Sequence, residues 1–90
     1  QGGSGLIGRT RLFRPDVTSD CKSDGKVVIE ITVNNQGKVV NAKKGRGTTA
    51  IDQCLIDLAK DAAMKFKWNS DANAPDEQHG VIEFNFSFGG

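Results

Sequence analysis

The sequence predicts an α+β fold, an antiparallel three-stranded sheet with one helix packed on one face, in the chain order strand, strand, helix, strand. Three observations carry that expectation. β-Branched residues alternate over residues 27–33 and lead through a turn into a second extended run. A stretch beginning near Thr49 repeats its apolar residues every three or four positions. Residues 81–88 then alternate again, with aromatic side chains on one face.

In the first strand, residues 26–33, Val27, Ile29, Ile31 and Val33 share one face while Val28, Glu30 and Thr32 share the other, so one face belongs to the core. The turn "NNQG" follows, with Asn35 and Gly37 as the expected positive-φ residues, and residues 38–44 return antiparallel. Thr49 with Asp52 three residues on reads as a capping box. The helix behind it carries Ile51, Cys54, Leu55, Leu58, Ala59, Ala62 and Phe66 on its buried stripe, with Ile56 and Met64 beside it. The helix is expected to fray near Trp68, because "NSDANAPDEQHG" is rich in turn formers and Pro75 cannot continue it. In the last strand Ile82, Phe84, Phe86 and Phe88 face one way and Val81, Glu83, Asn85 and Ser87 the other. If the helix crosses back over the sheet, this strand pairs with the first strand of the hairpin, giving the spatial order 2-1-3 and two open edges.

Ninety residues make one domain, and a chain of that length buries only about two thirds of its unfolded surface, so the core is thin. Lys and Arg number 12 against 11 Asp and Glu, a net charge of +1, which provides no overall electrostatic footprint for nucleic acid or an anionic membrane. No apolar run approaches the roughly 20 residues a membrane helix requires. Residues 1–8, "QGGSGLIG", have the composition of a flexible linker and lack the pattern of a signal peptide, so residues 9–90 are taken as the domain and 1–8 as lying outside its fold.

Catalytic patterns are hard to find. His79 is the only histidine and sits beside Gly80 in a polar stretch without an evident partner. Asp57 and Asp61 share a helix face with lysines, as a hydrated surface does. The "GRGTT" loop puts glycines ahead of a helix N-terminus, as an anion cradle would, but lacks the Gly-Lys-Ser/Thr of a phosphate loop; a connecting loop is the simpler reading. The aromatic alternation at Phe84, Phe86 and Phe88 has no basic groove beside it and reads as a core face rather than a stacking platform for bases. No metal site or cofactor is expected, and an enzyme is not.

Two cysteines without a Cys-x-x-C spacing do not make a zinc site. The hairpin returns the chain so that the helix starts at the end where the first strand began, which makes Cys21 and Cys54 neighbours. They either form a disulfide, which would imply an oxidising compartment, or leave Cys54 as a small buried apolar residue and Cys21 free.

The ordered set "GKVV" at Gly25, the "NQGKV" turn, a helix "CLIDLAKDAAMKFKW" and a final "VIEFNFSF" resembles the C-terminal domain of TonB-family energy transducers, in the version common in Bacteroidetes. The match covers residues 25–88, with a weaker likeness at "RPDV". The chain departs from the family in having "FRPDVT" where a Tyr-Pro pair usually precedes the first strand. The resemblance implies a periplasmic domain whose parent is anchored in the inner membrane and works with an ExbB–ExbD motor. It further implies that the domain grips the TonB box of an outer-membrane TonB-dependent transporter, carrying energy from the proton-motive force to nutrient uptake. The expected contact is strand addition at the edge formed by Val81, Ile82, Glu83, Phe84, Asn85, Phe86, Ser87 and Phe88. Alternatives are a TonB-like regulatory domain appended to a membrane metallopeptidase-type sensor and a small inhibitor or carbohydrate-binding module. An exposed edge strand can also pair with its own copy in a homodimer.

Overall fold

The computed structural model describes residues 4–5 and 9–87. The chain forms β1 (Ser4–Gly5), β2 (Arg11–Phe13), β3 (Gly25–Val33), β4 (Val39–Lys44), α1 (Gln53–Met64), β5 (Lys67–Trp68) and β6 (Gln78–Phe86). The architecture is α+β. One antiparallel sheet has the order β1-β6-β3-β4 and a second pairs β2 with β5. A bridge between Lys38 and Lys67 ties the start of β4 to β5.

The expected order 2-1-3 is present as three contiguous strands of the larger sheet, β4-β3-β6, and the helix lies on one face of it. The three-stranded count is corrected by a fourth strand beside β6 and by a separate two-stranded sheet. Ser4 and Gly5 pair with Ile82 and Val81, so residues expected to lie outside the fold supply a further strand. The reason is the unpaired row of N–H and C=O groups that an outermost β6 would otherwise present. Similarly, "RLF", whose sequence is compatible with a short extended segment, forms a ladder with Lys67–Trp68, where the end of the helix is expected.

β3 is the centre. Val27, Ile29 and Val33 are fully buried and Ile31 is 1% exposed, with Val39, Ile82 and Phe84 beside them on the inner face. Residues of opposite face are also covered in part: Val28 and Thr32 are buried, although alternation alone would put them in solvent. At Val28 the chain that leaves β4 folds back. Gly45 N–H donates to Val28 O at 2.7 Å, Thr48 Oγ1 accepts from Val28 N at 3.0 Å, and Thr49 Oγ1 accepts from Lys26 N at 2.9 Å. The two threonines of "GRGTT" thus complete the β3 edge where β4 has ended.

This use of Thr49 removes it from the helix cap. Asp52 is the N-cap, accepting from Cys54 N at 2.9 Å, and Ser23 Oγ donates to its other carboxylate oxygen. The helix starts three residues later than the capping-box pattern suggests, and its buried face is centred nearer Ile56 and Ala63 than the expected stripe. Leu55, Ile56, Ala59, Ala62 and Ala63 are buried, whereas Ile51 lies outside the helix and is 98% exposed, and Cys54 is exposed. Phe66 and Trp68, past the helix, are buried, and Phe66 meets Phe84 edge to face at 6.2 Å.

The hairpin loop is closed by Asn34. Its N–H donates to Lys38 O, and its side-chain oxygen accepts from Gln36 N and Lys38 N, both at 3.0 Å. Asn35 does not take the expected positive φ; Gly37 alone in this loop does, at +85°. A Cβ there would lie 1.9 Å from Trp68 O, whose residue donates its N–H to Gly37 O. Glycine is needed at this position for space as much as for conformation.

Cys21 and Cys54 form a disulfide, with Cα atoms 5.9 Å apart, within the ordinary range. Bridging residues 33 apart in sequence restricts the unfolded chain by about 3–4 kcal/mol in the loop-entropy account, a large share of the stability of so small a domain. Reduction is expected to lower unfolding stability by about that amount, or to unfold the domain at 37 °C; urea denaturation with and without reductant measures it.

The hydrogen bond from Ser23, and then that from the Cys54 amide, lower the Asp52 pKa. A carboxylate stabilised in the folded state contributes fully above its unfolded pKa and loses that contribution as pH falls through the lowered folded value. The gap in urea midpoint between the wild type and Asp52→Asn is therefore expected at neutral pH and should close on acidification through that range. A gap independent of pH would show that the carboxylate charge plays no part.

Candidate functional site

The residues singled out on the last strand are held rigidly on one side. β6 pairs antiparallel with β3 along its whole length, from Val33 opposite Gln78 to Gly25 opposite Phe86. It begins three residues earlier than its alternation suggests, because "QHG" continues the ladder opposite Val33, Thr32 and Ile31. Ile82 and Phe84 point into the core, so the accessible part of this strand is its backbone edge together with Val81, Glu83 and Asn85. Val81 is 46% exposed, and Glu83 pairs with Lys26 at 3.5 Å. Ser87 follows the strand, and Phe88 lies outside the described residues.

The outer edge is neither bare nor fully occupied. β1 meets it at Val81 and Ile82. Toward its C-terminal end, a cleft of about 280 Å³ separates Phe84, Asn85 and Phe86 from the segment Arg14, Pro15, Asp16 and Val17. The weaker sequence signal "RPDV" thus marks the far wall of a slot beside the strand edge.

Arg9 decides where the N-terminal segment runs, a role nothing in the sequence pattern marked. Its side chain is almost fully buried and gathers three parts of the chain. Nε and Nη2 donate to Asn69 O, Nη1 to Gln78 Oε1 at 3.1 Å, and Nη2 to Asn34 O at 3.2 Å. Asn69 in turn takes the Thr10 amide on its side-chain oxygen and donates its own amide to Thr10 O. From this anchor the chain reaches β6 on one side through β1 and β5 on the other through β2. One of three arginines within six residues, Arg9 is legible as a clamp only once its acceptors, which come from residues 25 to 69 positions away, are assembled.

His79 lies in β6, not in a loop, and its Nδ1 meets Thr32 Oγ1 at 3.2 Å across the ladder. With Glu30, Asn41, Lys43 and Val81 these residues border a cleft of about 340 Å³ on the sheet face away from the helix. Glu30 and Lys43 pair there at 3.7 Å. Asp57 accepts from Gln53 Nε2 on the helix surface. Among the described residues no three His, Cys, Asp or Glu side chains gather into a metal-binding group, and no helix is long and apolar enough to cross a membrane. The geometry present is that of paired strands with addressable edges.

Replacing Arg9 by Met leaves three oxygens without their charged donor while keeping the stem. The expected loss is about 1–3 kcal/mol in urea unfolding. A loss below a few tenths of a kcal/mol would show that water replaces the guanidinium without cost.

Compared with protein-family models, with curated proteins and with solved structures, the chain has no significant match.

Proposed function

We propose that this chain is a non-enzymatic interaction domain of the TonB C-terminal kind, which takes the TonB box of an outer-membrane transporter as an added strand along the outer edge of β6. The observation that carries the reading is the strand itself. β6 has nine residues, all paired to the buried central strand on its inner side, while the described residues of β1 cover its outer side only at Val81 and Ile82. An extended peptide laid there gains backbone hydrogen bonds that tolerate varied side chains.

The mechanical side of the proposal follows from the same pairing. A load passed from an added strand into β6 is transferred to β3 along a continuous ladder of nine residue pairs, whose hydrogen bonds share it. The disulfide between Cys21 and Cys54 supports a periplasmic setting, since such bonds persist in oxidising compartments. An inner-membrane parent working with an ExbB–ExbD motor belongs to the same proposal, resting on the sequence resemblance.

A ¹⁵N-labelled domain titrated with a synthetic TonB-box peptide tests it. The expected outcome is saturable amide shifts centred on residues 81–87, with smaller shifts on the β3 residues behind them. Shifts confined to other elements, or none at millimolar peptide, would sink the assignment.

A further inference from the structure

A second surface lies away from the β6 edge and does not depend on the reading above. Leu12 and Phe13, 66% and 51% exposed, are adjacent large apolar residues that the fold leaves in solvent. A β-bulge puts them together. Arg11 pairs with Trp68 and Phe13 with Lys67, so Leu12 is an extra residue with no counterpart on β5, which breaks the usual alternation of faces. Both line a groove of about 340 Å³ with Gly37, Lys38, Lys67 and Trp68.

The electrostatics of this groove are unresolved within the chain. Lys38 and Lys67 stand directly opposite each other on neighbouring strands. Like charges in that position repel and weaken a cross-strand pair. None of the groove's lining residues is acidic, and among the described residues neither lysine has a carboxylate within ion-pair distance. An apolar floor with two uncompensated ammonium groups beside it is complementary to a ligand with an apolar side chain between carboxylates.

We infer that the groove between β2, β5 and the start of β4 is a docking site for an extended acidic-apolar segment of a partner protein. Its apolar side chain rests on Leu12 and Phe13, and its carboxylates lie against Lys38 and Lys67. Occupation would also remove the lysine–lysine repulsion, so binding and local stability are coupled through the same two charges.

Trp68, the only tryptophan, is among the lining residues and serves as the reporter. The probe is an eight-residue peptide alternating leucine with aspartate, compared with peptides alternating leucine with lysine and serine with aspartate. The expected result is a saturable change in Trp68 fluorescence with the leucine–aspartate peptide alone, weakened at 0.5 M salt. Lys38→Glu together with Lys67→Glu should weaken binding at least about tenfold, because like charges now face each other across the interface. Leu12→Ser with Phe13→Ser should abolish it, circular dichroism confirming the fold of each variant. Lys67→Glu alone should raise the melting temperature while lowering affinity, a combination that a purely structural lysine would not give. Equal binding of the leucine–lysine peptide, or affinity unchanged by the double charge reversal, would overturn the proposal. So would absence of peptide binding, including the case in which the domain instead sediments with vesicles of phosphatidylglycerol and phosphatidylcholine.

Discussion

The inward stacking of Val27, Ile29, Ile31 and Val33 on β3 is the constraint on which the rest of the molecule depends. All four are excluded from solvent, and in a strand they fix which face every neighbour must present. A slip of one residue in β6 would carry Ile82 and Phe84 out of the core and Glu83 into it. The helix is positioned by the same row, packing its small residues Ala59, Ala62 and Ala63 against the sheet so that the two layers approach closely. Where β4 departs after Ile29 and Lys44, β3 keeps its edge satisfied through Gly45, Thr48 and Thr49. The loop comes so near that a Cβ at Gly25 would lie 2.7 Å from that of Ala50.

A core of this size needs help at its ends, and the help is of two kinds. At the end where β3 begins, the Cys21–Cys54 bridge and the Ser23–Asp52 hydrogen bond bind the incoming loop to the helix N-terminus. At the other end, Arg9 draws together the hairpin turn, the loop after β5 and the start of β6. One staple is covalent and acts largely on the unfolded chain. The other is polar and acts in the folded state, by charged hydrogen bonds to three partly buried oxygens, Asn34 O, Asn69 O and Gln78 Oε1. Small domains with few apolar residues commonly require such supplements.

What the sequence made legible follows from which interactions are local or periodic. The alternation of β3 and β6 and the helical repeat are repeated signals, and the hairpin then dictates that Cys54 returns beside Cys21. The helix start is not legible because Thr49 fits both a capping pattern and a strand edge, and the edge of β3, distant in sequence, takes it. Ile51 fits the buried stripe by spacing alone; with Asp52 as the cap it falls outside the helix. Asn34 rather than Asn35 organises the turn, since a side chain that accepts two backbone amides does so without needing positive φ. The two-residue strands β1 and β5, the clamp at Arg9 and the bulge at Leu12 have no period to detect. They are set by tertiary partners that declare themselves only in three dimensions.

The chain's own use of the β6 edge sets the terms for the strand addition proposed there. β1 pairs two residues with Val81 and Ile82 and belongs to the same chain, so it competes as an intramolecular strand. A peptide that pairs only over the same two positions would lose to it. One that extends toward Phe84, Asn85 and Phe86, into the slot beside Arg14–Val17, gains ladder bonds the described β1 residues do not make. Its apparent affinity is then the intrinsic one reduced by the fraction of molecules in which the edge is open. Under the proposed strand addition, length and extended character, more than any one side chain, would decide which segments outcompete the strand already in place.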